Sequence, residues 1–171
     1  IENGAYGKRI EMIAKANGLQ HEVVRFGEGE PVGTDVVAQK LTQGEFSHVA
    51  MVHCETSTGI VNPLLEIGAT CNKFKACLIV DAMSSFAGVP IEVPKIPIHY
   101  LISSSNKCIE GVPGFCFVIA ETEDLLRSEG KARTLSLDLF AQYRAFMHDG
   151  RFRFTPPTHV VVAFKVALEL L

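Results

Sequence analysis

No stretch of this chain is long and apolar enough to span a bilayer as a helix. Its uninterrupted apolar runs reach about half a dozen residues, as in Val160 to Phe164, whereas a spanning helix needs roughly 20. An excess of one charge is also missing. The formal net charge is −3 and the isoelectric point about 6.1, so neither a nucleic-acid partner nor an anionic membrane surface is favoured on electrostatic grounds. The five cysteines, Cys54, Cys71, Cys77, Cys108 and Cys116, form no C-x-x-C pair and no framework spacing. They read as reduced thiols of an intracellular, cytoplasmic protein. The start, Ile1-Glu2-Asn3-Gly4, has a carboxylate where a secretory leader carries basic residues, and it lacks an initiator Met. The expectation is a piece of something longer, or a processed chain. Internal repeats, low-complexity tracts and a G-x-x-x-x-G-K-[ST] phosphate loop are all absent. Gly4-Ala5-Tyr6-Gly7-Lys8 has the wrong spacing for such a loop and continues with Arg9.

What is present alternates. With 47% apolar residues in 171, one domain with a proper core is expected. Ala5 to Asn17 carries Ile10, Ile13 and Ala14 on one helical face, with Gly18 as C-cap. Glu22 to Phe26 reads as a strand, and Gly27 to Gly33 as a loop. Thr34 is placed as N-cap of a short helix, Asp35 to Leu41. His48 to Cys54 is the next strand, and Asn62-Pro63 opens a helix reaching about Phe74. Ala76 to Val80 has the continuous apolar run of a strand buried on both faces. Three prolines within Val89 to Pro97 forbid a helix there. His99 to Ser103 and Phe115 to Ala120 read as strands; Glu121 to Ser128, Ser136 to Met147 and Pro157 to Leu171 read as helices. This order predicts an α/β fold, a three-layer α/β/α arrangement around a mostly parallel sheet.

Two apolar runs end in reactive side chains. Cys77 to Val80 closes on Asp81, and the run before Ser103-Ser104-Ser105-Asn106 closes on Lys107. If the runs are neighbouring parallel strands, both groups sit at the carboxyl edge of one sheet, where open α/β sheets bind ligands. An acid and an amine side by side suit pyridoxal phosphate, which needs a lysine for its Schiff base and a carboxylate for its pyridine nitrogen. The serines before Lys107 and Gly111-Val112-Pro113-Gly114 after it would let backbone N–H groups approach a phosphate. Each feature also has an ordinary reading. Asp81 can cap a turn, and Lys107 can be a solvated surface lysine. His53-Cys54-Glu55-Thr56-Ser57-Thr58-Gly59 can be a capping turn. His53-x-Glu55 lacks the P-C-x-x-C partner of a zinc deaminase, and no metal site is expected. Arg151 to Phe154, alternating cation and aromatic, reads as an edge strand leading into the last helix.

Three segments in order then carry a resemblance. His53 to Gly59, Val80-Asp81-Ala82-Met83-Ser84-Ser85-Phe86, and Ser104 to Phe115 resemble class V aminotransferases of pyridoxal phosphate fold type I, and the likeness runs from Asn3 to the last residue. It implies that Lys107 carries the cofactor and shuttles the substrate proton, that Asp81 pairs with the ring nitrogen, and that Thr56 bonds near the ring hydroxyl. Asn106 would help hold the phosphate, and Thr155 would reach the phosphate of a neighbouring subunit, because sites in this family form across a homodimer. The stretches Asn106 to Phe115, Arg133 to Leu139 and Arg153 to Val160 are similar to the branch that transaminates an amino donor, 2-aminoethylphosphonate, with a keto acid, pyruvate. An alanine–glyoxylate or serine–pyruvate type transaminase is the alternative within the family; an inactive fragment or dimerisation module is the alternative outside enzymology. By resemblance, residues 1–171 are a single domain, the central part of the cofactor-binding large domain. An amino-terminal phosphate cup with a ring-stacking aromatic, and a carboxy-terminal small domain with a substrate-gripping arginine, would lie outside it.

Overall fold

Alternation of apolar and less apolar residues builds the central sheet. In β1 (His48–Val52), β4 (Cys77–Asp81) and β5 (Tyr100–Ser104), the residues facing one side are buried: Val49 and Met51, Leu78 and Val80, Leu101 and Ser103. The computed structural model describes all 171 residues. The sheet order is β1-β4-β5-β6, where β6 is Cys116–Ala120. β1, β4 and β5 run parallel, with Val52 opposite Asp81 and Asp81 opposite Ile102. β6 returns antiparallel, with Ser104 opposite Cys116. β2 (Cys54–Glu55) and β3 (Ile60–Val61) form a separate small hairpin directly after β1.

Helices lie on both sides. α1 is Ala5–Ala16, α2 Thr34–Leu41 and α3 Leu64–Lys73. Val37 and Leu41 of α2 and Ile67 and Cys71 of α3 close the core over Met51, Leu78, Val80 and Leu101. On the other side, α4 (Thr122–Leu126) brings Asp124 to within 3.9 Å of Cys77. Burying this apolar face is the main stabilising term, worth about 1.5–3 kcal/mol for each large aliphatic side chain. α5 is Leu139–Asp149, and α6 is Thr158–Leu170, whose Phe164 packs edge-on against Phe115. The structure therefore bears out the α/β expectation.

Several local expectations are revised. Glu22 to Phe26 is not a strand: its only pairing is the bridge of Arg25 with Glu2, flanked by Glu2 N–H to Val24 O and Phe26 N–H to Glu2 O, both 2.9 Å. A strand needs a partner of matching length, and α1 begins three residues after Glu2. Ile13 is 55% exposed, so the face of α1 that packs inward is built on Gly7, Ile10 and Ala14. β4 is not buried on both faces, since Cys77, Ile79 and Asp81 are only half-buried. Gly33, not Thr34, occupies the N-cap of α2. α5 starts at Leu139, later than the expected Ser136, because the Asp138 carboxylate caps it by accepting from Ala141 N–H at 2.9 Å. Arg151 to Phe154 forms no strand. Its backbone is held by side chains instead, with Arg153 N–H donating to Gln142 Oε1 at 3.2 Å and the Arg153 guanidinium to Leu135 O at 3.0 Å.

Candidate active site

Three loops leave the carboxyl ends of β1, β4 and β5 at one edge. After β1 the chain passes through His53, 4% exposed, whose Nδ1 lies 2.9 Å from Ser85 Oγ in the loop after β4. Burial pushes this imidazole below its ordinary value of 6.5 and keeps it neutral. The tip of the β2–β3 hairpin closes when Thr58 and Gly59 N–H donate to Glu55 O, at 3.0 and 2.8 Å, with Gly59 at φ 77. This tip presents Thr56, whose hydroxyl donates to Ser84 Oγ at 2.9 Å; Ser84 Oγ donates in turn to Cys54 O at 3.0 Å.

After β4, Asp81 accepts from Met83 N–H at 3.0 Å. It forms no ion pair. Burial, with the Glu55 charge adding, raises its carboxyl above the ordinary value; the Met83 hydrogen bond and Arg9 act against that shift. A half-buried carboxylate without a cation is a poor structural element and a good acceptor for a ligand N–H.

After β5, a tight turn carries Ser105, Asn106 and Lys107. Gly111 N–H donates to Ser105 O at 2.9 Å, and Ser105 Oγ donates to Val112 O at 2.7 Å. A Cβ on Gly111 would stand 2.5 Å from Ser105 O, so only glycine permits this closure. Cys108 Sγ lies 3.4 Å from Ser84 O and ties the Lys107 turn to the loop after Asp81. Asn106 and Lys107 are exposed, and Lys107 takes part in no ion pair.

The structure thus puts Asp81, Thr56, Asn106 and Lys107 in loops at one sheet edge, where Ser84 joins the loop after β4 to Thr56 and to Cys108 of the Lys107 turn. Thr155 lies exposed three residues before α6, whose Val160 and Phe164 pack against Gly114 and Phe115 beyond the Lys107 turn. Ala87 (φ 70) and Glu110 (φ 62), non-glycine residues in the left-handed region, flank the edge in the loops after β4 and β5. The third such residue, Lys75 (φ 56), precedes β4 at the opposite end of the sheet.

Sequence reasoning missed Glu55, Ser84 and a cluster at the sheet's opposite end. There Cys77, His99 and Asp124 bring ligand-capable atoms within 4.8 Å of one another. The cluster is internally satisfied. Leu78 N–H donates to His99 Nδ1 at 2.9 Å, which places the neutral ring's proton on Nε2, the nitrogen 3.7 Å from Asp124. Burial alone would raise Asp124, but its pairing with Arg127 outweighs this and holds the carboxyl below its ordinary value. Burial raises the Cys77 thiol. A metal would need the nitrogen that carries the proton and the carboxylate that Arg127 holds.

The description of class-V aminotransferases matches residues 2–171. The chain belongs to that family. Among curated members it is 49% identical over 172 residues to the 2-aminoethylphosphonate–pyruvate transaminase of Lysinibacillus sphaericus, covering 100% of this chain and 47% of that protein. Against the enzyme of the same name from Bacteroides fragilis the identity is 50% over 171 residues, covering 99% and 47%. The chain spans about half the length of the curated relatives it matches. The aminotransferase fold is equally clear. Pyridoxamine–pyruvate aminotransferase from Mesorhizobium loti superimposes with a TM-score of 0.88 at 28% identity, over 98% of this chain and 44% of that one. Alanine–glyoxylate aminotransferase from Nostoc sp. superimposes at 0.87 and 24% identity, over 99% and 46%. No helix of the chain is long and apolar enough to cross a membrane.

Proposed function

We propose that this aminotransferase segment works in the pyridoxal phosphate-dependent transfer of an amino group from 2-aminoethylphosphonate to pyruvate, giving phosphonoacetaldehyde and L-alanine. The observation that carries the reading is the placement of Asp81 and Lys107 on one sheet edge, in a chain about half identical along its whole length to transaminases of that name.

The residues present fit the cofactor. Asp81 lacks a cationic partner, and Ser104 Oγ, at the end of β5, is buried without a hydrogen-bond partner. When bound, pyridoxal phosphate supplies an electron-withdrawing ring and a carbonyl that exchanges amino groups. The chain supplies the rest. The Lys107 amine holds the cofactor and moves the proton at the substrate's amino-bearing carbon. The Asp81 carboxylate holds a proton on the ring nitrogen. Thr56 bonds near the ring hydroxyl, and Asn106 contacts the phosphate. Thr155, exposed ahead of α6, serves a second subunit of a homodimer. The protein is cytoplasmic in this reading.

Residues 1–171 are read as the central part of the large domain, with the phosphate cup, the ring-stacking aromatic and the substrate-gripping arginine supplied by further sequence. Titration of 1–171 with pyridoxal phosphate, followed by absorbance, is then expected to show weak binding. Tight stoichiometric binding would show that this segment holds a complete cofactor site. In the full-length protein, donor choice decides between this reading and its nearest alternative. L-Alanine formed from pyruvate with 2-aminoethylphosphonate, and not with serine, supports the phosphonate reaction; the reverse moves the enzyme to the serine–pyruvate type.

A further inference from the structure

The start of α1 has no cap of its own. Gly4 precedes the helix without a side chain, and its first turn holds no acidic residue. Helix-terminal N–H groups need an acceptor when they are shielded from water. Glu55 provides it from 49 residues away. Tyr6 N–H donates to both carboxylate oxygens at 3.1 Å, and Gly7 N–H donates to Oε2 at 3.0 Å. Ser57 Oγ donates to Glu55 Oε1 at 2.8 Å and accepts from Ala5 N–H at 3.1 Å. Glu55 is 0% exposed, with its charge against the positive end of the α1 dipole. The glycine-rich stretch that fails as a phosphate loop therefore binds an anion after all, one from its own chain. A Cβ on Gly4 would lie 2.3 Å from Glu55 Cγ, so close approach calls for glycine here; its φ of 176° does not.

Thr56 lies between two residues that α1 fixes, and its hydroxyl points to Ser84 in the loop after Asp81. We propose that Glu55 is a positioning residue that anchors the Cys54–Gly59 tip to the N-terminus of α1 and thereby sets Thr56 for the cofactor. This rests on the reading that Thr56 contacts the cofactor. Two coupled contacts of this kind lose affinity non-additively, because once Thr56 is gone its anchor has nothing left to position.

The test is a double-mutant cycle in pyridoxal phosphate affinity, on the full-length protein, with fold monitored by circular dichroism. Glu55→Gln keeps the shape and turns an amide NH2 toward the α1 donors. It is expected to raise the cofactor Kd roughly tenfold, the low end of what the loss of a residue supporting a metal ligand costs. Thr56→Ala is expected to do the same, and the double variant to bind no more weakly than Thr56→Ala alone. Additive losses, or an unchanged Kd in Glu55→Gln, overturn the inference and leave Thr56 as a cofactor contact. An unchanged Kd in Thr56→Ala overturns the Thr56 reading and the inference with it. If Glu55→Gln fails to fold, Ser57→Ala takes its place in the cycle. It removes the outer link while leaving Glu55 bonded to Tyr6 and Gly7, so the loss is expected to be smaller and equally non-additive.

Discussion

Lys107→Ala is expected to lower transamination by about 10³-fold or more, while the protein stays folded and keeps its oligomeric state. In the proposed function the activity loss follows from removing at once the group that holds the cofactor and the base that moves the substrate proton. General acid–base catalysis alone contributes about 10²–10⁴-fold. The preserved fold follows from the structure: the side chain is exposed and makes no ion pair, and the turn beneath it is held by Gly111 and Ser105. Exposed substitutions of this kind change stability by about 0.5 kcal/mol or less. Turnover, light scattering and thermal midpoint measured together check this. Partial recovery of turnover with a small primary amine would identify the missing group as the amine itself. Unchanged turnover would make Lys107 a solvated surface lysine.

Asp81→Asn is expected to act in opposite directions on stability and on activity. Burial, reinforced by the Glu55 charge, raises the Asp81 carboxyl above its ordinary value of 3.8. A group whose folded value lies above its unfolded one gives stability that is complete below the unfolded value and is lost as pH rises through the folded value. At neutral pH this carboxyl therefore costs the cofactor-free protein stability, and asparagine, which can still accept from Met83 N–H, removes that cost. The thermal midpoint of the variant should exceed that of the parent at neutral pH, and the gap should shrink as pH falls through the Asp81 titration. His53 and His48, both pushed down by burial, destabilise parent and variant alike in acid and cancel in the difference. Activity should fall by about 10²-fold or more, since a preorganised charge at the site of developing charge is worth that much. A variant less stable than the parent at neutral pH, or one of undiminished activity, contradicts the placement of Asp81.

The sheet and its reactive edge were legible because their signals are local. Apolar runs ending in Asp81 and Lys107 put both at one sheet edge if the runs are parallel neighbours, and β4 and β5 are such a pair. The antiparallel return of β6 is not visible in the run Phe115 to Ala120, since a strand's direction is set by its partner. Glu22 to Phe26 misled for the same reason: strand-like residues without a strand to meet make a single bridge. Glu55 stood inside the quoted motif, yet its role depends on a helix start 49 residues earlier. The available clue was the reverse one, a helix opening on glycine that had to find its acceptor elsewhere. His99 and Asp124 likewise meet only through the fold.

The most direct measurement is a half-reaction. The full-length protein, loaded with pyridoxal phosphate and freed of excess, is mixed with 2-aminoethylphosphonate and no keto acid. A stoichiometric burst of phosphonoacetaldehyde, absent with Lys107→Ala and followed by L-alanine only when pyruvate is added, is the result the proposed function predicts. A protein that binds the cofactor through Lys107 yet releases no aldehyde from the phosphonate would contradict it.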